Sequence, residues 1–187
     1  MARKKGIPIV IDPVGVMASD MRFEAAKEII RGGVSIVRGN YAECQTLLSE
    51  TRNGKGVDSL VACQSDIGLL AELAAQKYGC IFAVTGKEDA VSDGKSTIIG
   101  SNGVEMLQKV TGAGCMTTTL IGCAAGSSED YLLAALCGIQ TMNVAAERAC
   151  KELKYTEGPG TFKTRLFDAV DQLSVAEVVK LSKLRKL

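Results

Sequence analysis

The 187-residue chain has no histidine, and that absence removes whole classes of chemistry. No Ser-His-Asp triad, Cys-His dyad or imidazole metal site can be built within it, so acid–base work falls to carboxylates, lysines and thiols. No C-x-x-C pair occurs among its seven cysteines, Cys44, Cys63, Cys80, Cys115, Cys123, Cys137 and Cys150. An odd number without that spacing fits reduced thiols packed as small hydrophobes, a cytosolic pattern. Cys123, Cys137 and Cys150 stand among alanines and leucines and read as core. An excess of one charge is also missing: 22 Lys+Arg face 21 Asp+Glu with no basic stripe, which leaves no electrostatic case for nucleic acid. The basic runs Arg3 to Lys5 and Lys180 to Lys186 read as solvated ends. No apolar run is long enough to span a membrane, and the stretch from Ile7 to Ile11 is too short for a signal peptide.

What is present is a globular composition, 47% hydrophobic and 23% charged, expected to form one domain over 1–187. Short apolar runs bounded by turn residues alternate with longer amphipathic segments. IPIVI (7–11), VSIV (34–37) and CIFAV (80–84) are strand-like, with helical patterns over 22–31, 41–49 and 67–78 between them. This βαβαβ-like order, with near-continuous apolar strands, predicts an α/β fold whose mostly parallel sheet is covered on both faces. DAVSDGKSTII predicts a hairpin turning at Asp93-Gly94. Further helices are expected over about 115–126, 129–151, 162–172 and 175–183, with Gly158-Pro159-Gly160 as a break.

In an open parallel sheet the ligand crevice lies at the carboxyl ends of the strands. Asp12 follows the first run, Arg38, Asn40 and Glu43 the second, and Thr85-Gly86 the third, so their polar groups converge on one edge. VTGAGCMTTT (110–119) adds a second element. Gly112 and Gly114 permit positive φ and close backbone approach, and a helix starting there turns its free N–H groups back toward the turn. Gly112, Ala113, Gly114 and Cys115 are thus expected to form an anion cradle, with close helix packing as the plainer use of the same glycines. It is not a P-loop, because no G-x-x-x-x-G-K-[ST] occurs, and Thr117 stands where the dinucleotide pattern needs its third glycine.

A cradle, an arginine, two carboxylates and a hydroxyl-bearing turn are the parts needed to transfer a phosphoryl group. Mg²⁺ prefers oxygen ligands and keeps several waters, so Asp12 and Glu43 need not both touch it. Arg38 would hold phosphate oxygens, and the loose transition state needs position and charge neutralisation more than covalent help. Cys115 fits beside the attacking hydroxyl, though a thiolate is a weak base toward an alcohol. Plainer uses stand beside these: Asp12 ending a strand, Asn40 capping the helix from Tyr41, Thr85-Gly86 making a turn.

VIDPVGV, VRGNYAE, VTGKEDAVSDG, KVTGAGC and EGPGTFKTRLFDA come in the order and at the intervals found in hydroxyethylthiazole kinase, and the chain resembles that family from about Ile7 to Leu173. The resemblance implies a three-layer α/β/α ribokinase-like fold and phosphorylation of the hydroxyl of 4-methyl-5-(2-hydroxyethyl)thiazole by ATP with Mg²⁺, in thiamine biosynthesis or salvage. It also implies a cytoplasmic homotrimer with active sites at subunit interfaces. Arg38 and Thr85 resemble the family's ATP-contacting arginine and threonine, and Gly112 the glycine near the substrate. Asn40 and Glu43 match the N-x-x-E motif that positions Mg²⁺ and phosphate, and Asp12 the acidic residue that shares that work. Cys115 falls where this family carries cysteine and related sugar and vitamin kinases carry a catalytic aspartate, which argues against another small-alcohol kinase. Ala113 departs from the family's more usual threonine. The family chain normally has about another third before this segment, supplying the first strands and much of the thiazole pocket. The expectation from sequence is therefore a thiazole alcohol kinase lacking N-terminal strands, set against a nucleotide-binding or oligomer-forming module without turnover.

Overall fold

The computed structural model describes residues 2–49 and 66–187, so Cys63 lies outside the described residues. Six strands, β1 (Val10–Ile11), β2 (Ile36–Asn40), β3 (Ile81–Thr85), β4 (Asp89–Ser92), β5 (Thr97–Gly100) and β6 (Leu184–Lys186), form one sheet in sequence order. β1, β2 and β3 pair in parallel, and β3 through β6 pair antiparallel, so the sheet is mixed. The parallel pairing expected from the sequence is the half that carries the candidate site.

Alternation along the strands divides the core into two layers. Val37, Phe82, Val84 and Ala90 face α1 (Asp20–Arg31), α2 (Tyr41–Ser49) and α3 (Ile67–Tyr78), where they meet Phe23, Ile30, Leu47 and Leu70. Ile36, Ala83 and Val91 face the other way, onto Ile121 of α4 (Ala113–Gly126) and Ala135 and Ile139 of α5 (Tyr131–Lys151). Ile36, Leu47 and Phe82 are wholly buried, each worth roughly 2–3 kcal/mol of transfer free energy. α6 (Pro159–Gln172) packs Phe162 and Leu166 against Met142 and Ala146 of α5, and α7 (Val175–Leu181) follows. The layers are α/β/α. Between α4 and α5 the backbones touch: a Cβ built on Gly138 would sit 2.5 Å from the Ile121 nitrogen, so no side chain fits there.

Local chemistry accounts for the helix ends. Asp66 caps α3 by accepting the Gly68 and Leu69 N–H groups at 3.0 and 3.1 Å, and Gly79 closes it in the left-handed conformation at φ 64°. Gly158 and Pro159 begin α6 as N-cap and first-turn residue, so the expected break is also a helix start.

Four expectations are corrected. Of IPIVI only Val10 and Ile11 form strand, although the Ile9 carbonyl also accepts the Ser35 and Ile36 N–H groups. The hairpin turns on Gly94-Lys95: the Asp93 N–H donates to Ser96 O, and the Asp93 carboxylate accepts the Lys95 and Ser96 N–H groups at 2.8 and 2.7 Å. The basic stretch after α7 is not simply a solvated end, since Leu184–Lys186 forms β6 along β5 while its side chains stay exposed. Cys123 and Cys137 are exposed and Cys150 is half-buried, because residues such as Ile121 and Ala125 in α4 and Ala135, Ile139, Met142 and Ala146 in α5 take the inward positions.

Candidate active site

The ends of β1, β2 and β3 and the start of α4 converge. Asp12 follows β1, Arg38 and Asn40 belong to β2, and Thr85 ends β3, in register with Asn40. Arg38 donates from Nη1 to Asp12 Oδ2 at 3.1 Å and from Nη2 to Thr85 Oγ1 at 2.7 Å. Thr118, on the second turn of α4, donates to the same Asp12 oxygen at 2.7 Å. Two buried atoms of this half-buried group have no partner, Asp12 Oδ1 and Arg38 Nε.

Asn40 and Glu43 form a reciprocal cap at the start of α2. The Asn40 N–H donates to Glu43 Oε2 and the Glu43 N–H donates to Asn40 Oδ1, both at 2.9 Å. Glu43 Oε1 accepts the Gly15 N–H at 3.3 Å, so this buried carboxylate clasps the loop after Asp12 to the N-x-x-E turn. Among the described residues no three His, Cys, Asp or Glu side chains gather as a metal site, and no helix is long and apolar enough to cross a membrane.

α4 opens on Gly112, whose φ of 93° suits glycine, and has no side-chain cap. A Cβ on Gly114 would sit 2.7 Å from Arg38 Nη1, so the glycine lets the guanidinium lie against the helix start. Helix N–H groups of the first turn lack intrahelical acceptors and, with the helix dipole, favour an anion there. Next to this end lies a cleft of about 370 Å³ lined by Arg38, Asn40, Thr85, Gly86, Ala113 and Gly114, among others. Cys115 is exposed on the same first turn and is not part of that lining, and neither are Asp12 and Glu43.

Three further polar residues went unread in the sequence. Thr118 is four residues past Gly114 in the threonine run, the spacing that returns a side chain to the same helix face. Asp89 and Asn143 line the cleft: Asp89 is 5% exposed, accepts the Gly86 N–H at 3.1 Å on Oδ1, and accepts Asn143 Nδ2 at 2.6 Å on Oδ2. Burial pushes the Asp89 carboxyl up to about 6, against the pull of the Gly86 and Asn143 hydrogen bonds and the Arg38 charge. A carboxylate opening the otherwise apolar DAV run was the available signal.

The fold is that of a ribokinase-like α/β protein. The architecture matches the pyridoxal kinase of Staphylococcus aureus, with a TM-score of 0.62 over 96% of this chain and 61% of that one; at 16% identity this is a likeness of fold alone. The family model for the hydroxyethylthiazole kinase family matches residues 1–176, and the chain belongs to that family. It is 39% identical to the hydroxyethylthiazole kinase of Clostridium botulinum (strain Eklund 17B / Type B) over 181 residues, which cover 92% of this chain and 64% of that relative. A solved structure of hydroxyethylthiazole kinase from Pyrococcus horikoshii OT3 superposes on all of this chain and 68% of its own, with a TM-score of 0.86 and 33% identity. The chain therefore spans about two thirds of the length of the relatives it matches.

Proposed function

We propose that the chain carries the phosphate-donor side of a kinase that transfers a phosphoryl group from ATP to the hydroxyl of 4-methyl-5-(2-hydroxyethyl)thiazole, a step of thiamine biosynthesis or salvage. The observation that carries this reading is the Asp12–Arg38–Thr85 chain of hydrogen bonds beside an open helix start and a cleft of about 370 Å³. Membership of the family supplies the substrate.

In this reading Arg38 and Thr85 receive the ATP phosphates, with Asn40 on the adjacent strand, and the α4 N-terminus stabilises charge on the transferring group. Gly112 leaves backbone space for the alcohol and Cys115 stands beside its hydroxyl, on the side of α4 away from the cleft. The acceptor and the nucleotide then approach the same helix end from different sides, as in-line transfer requires.

The residues fit Mg²⁺ unequally. Asp12 keeps a buried oxygen with no partner, a ready ligand, whereas both Glu43 oxygens already accept backbone N–H groups. Glu43 accordingly acts by fixing the turn or through a bridging water. When bound, Mg²⁺ neutralises charge on the donor phosphates. Asp12 holds Arg38 in place through Oδ2 throughout. A homotrimer in a reducing, cytoplasmic setting belongs to the same proposal, and the six described cysteines, all free, support the setting.

The test is ADP production by the purified chain with ATP, Mg²⁺ and the thiazole alcohol, with light scattering to read the assembly. ADP release that depends on the alcohol supports the kinase. ATP binding without alcohol-dependent release identifies a nucleotide-binding module instead.

A further inference from the structure

Thr85 at the end of β3 is held by Arg38, but the chain then leaves the sheet, and Gly86 and Lys87 are exposed at the wall of the cleft. The Gly86 N–H donates to Asp89 Oδ1 across this turn, and farther along it Glu88 is tied to Ser101 Oγ at 2.8 Å and to Arg185 at 3.5 Å. Asp89 is itself fixed from α5 by Asn143 Nδ2, at 2.6 Å. Asn143 also lies beside Gly103, where a Cβ would be 3.4 Å from Asn143 Oδ1, and Leu107 and Gln108 of the 3₁₀ turn Glu105–Lys109 line the same cleft. One carboxylate–amide pair thus joins the turn to the helix.

The choice of a carboxylate needs a reason. A buried anion is costly, and this one lines a cleft read here as receiving phosphates. Neither strand pairing nor core packing calls for charge at the first residue of β4. A carboxylate does offer two acceptor oxygens in fixed relation, one for each donor.

We propose that Asp89, held by Asn143, is a positioning residue of the nucleotide cleft, setting the Thr85-Gly86-Lys87 turn against α5 and so fixing the gap that the nucleotide enters. This rests on the reading of the cleft as the ATP site. Asp89→Ala removes both bonds and leaves the Gly86 N–H and Asn143 Nδ2 unpaired. Asp89→Asn keeps both: its Oδ1 accepts from Gly86 and its Nδ2 donates to Asn143 Oδ1 once that amide turns over.

The experiment combines calorimetric titration of the full chain with ATP and Mg²⁺, without the alcohol, and hydrogen exchange at Gly86 in the free protein. Asp89→Ala is expected to bind ATP about tenfold more weakly and to exchange faster at Gly86, while Asp89→Asn stays within about threefold of wild type. Thr97→Val, which removes the buried Thr97 Oγ1 to Ser92 Oγ bond of 2.9 Å at the other end of the same hairpin, is expected to bind ATP as wild type does. Equal weakening in Asp89→Ala and Thr97→Val, or failure of Asp89→Asn to restore binding, overturns the assignment. Wild-type protein that binds no nucleotide overturns the reading of the cleft and this assignment with it. Unchanged exchange at Gly86 in Asp89→Ala overturns the assignment alone.

Discussion

Arg38 and Asp12 form an ion pair of 3.1 Å in which each side chain is only 11% exposed, and the same guanidinium reaches Thr85 with its other terminal nitrogen. The fork spans two strand ends at once, a geometry that lysine's single ammonium cannot copy. Arg38→Lys is expected to keep the charge beside Asp12, lose the Thr85 bond, and lower stability by about 1–3 kcal/mol. ATP affinity should fall at least about tenfold, read by calorimetry. Unchanged affinity would remove Arg38 from the nucleotide site.

Gly114→Ala separates function from stability. Alanine favours a helix by about 1 kcal/mol over glycine, yet its methyl would stand 2.7 Å from Arg38 Nη1. The guanidinium side chain is the part able to move. The variant should therefore melt close to wild type while binding ATP more weakly, and a melting point that collapses instead would mean that the backbone gave way.

Asp89 predicts a pH signature in folding. Its carboxyl is raised from 3.8 to about 6 in the fold, so the native state holds this proton more tightly than the unfolded chain. The contribution is fully present below about pH 4 and is lost as pH rises through about 6. Asp89→Asn, which has nothing to ionise, should gain stability relative to wild type between about pH 4 and pH 7, on the order of a few kcal/mol. Urea unfolding at the two pH values measures it, and equal differences at both would mean an unshifted carboxyl.

Thiol labelling tests the site's exposed face. Cys44 is fully buried, and burial with the neighbouring Glu43 charge drives its thiol far above the usual range; burial pushes Cys80 up to about 11. Iodoacetamide should therefore modify Cys115 and Cys123, then Cys137 more slowly, since partial burial and Asp130 raise that thiol, and should spare Cys44. ATP with the thiazole alcohol should protect Cys115 and leave Cys123 unchanged. Mass spectrometry of the labelled peptides reads both outcomes.

Local signals were legible and distant ones were not. The limits of α2 and α3 agree with the sequence pattern because their caps lie within three residues of the helix start, as in the Asn40–Glu43 exchange. Asp12, Arg38 and Thr85 stand out because each follows an apolar run, and the sheet brings them together. The bond between Thr118 and Asp12 crosses 106 positions, and that between Asn143 and Asp89 crosses 54, so no local spacing announces either. The outward cysteines were missed for another reason: in a helix with small apolar residues all round, residue type does not say which face is inside. β6 was hidden by its own composition, Leu-Arg-Lys, two of whose three residues are charged.

The backbone contact at Gly138 bears on how the site tolerates change. α4 carries the Gly112–Gly114 turn at its front end, and farther along it rests directly on α5, where Ile121 meets a residue with no side chain. A seat made by side chains can be shimmed, since one rotamer gives way to another, but two touching main chains offer no adjustable part. Moving this bearing surface by the width of a methyl group would tilt the whole rod and shift its tip, many residues away, relative to the strand ends that face it. The aim of α4 at its target is thus set by an omission, at a position outside the lining of the cleft.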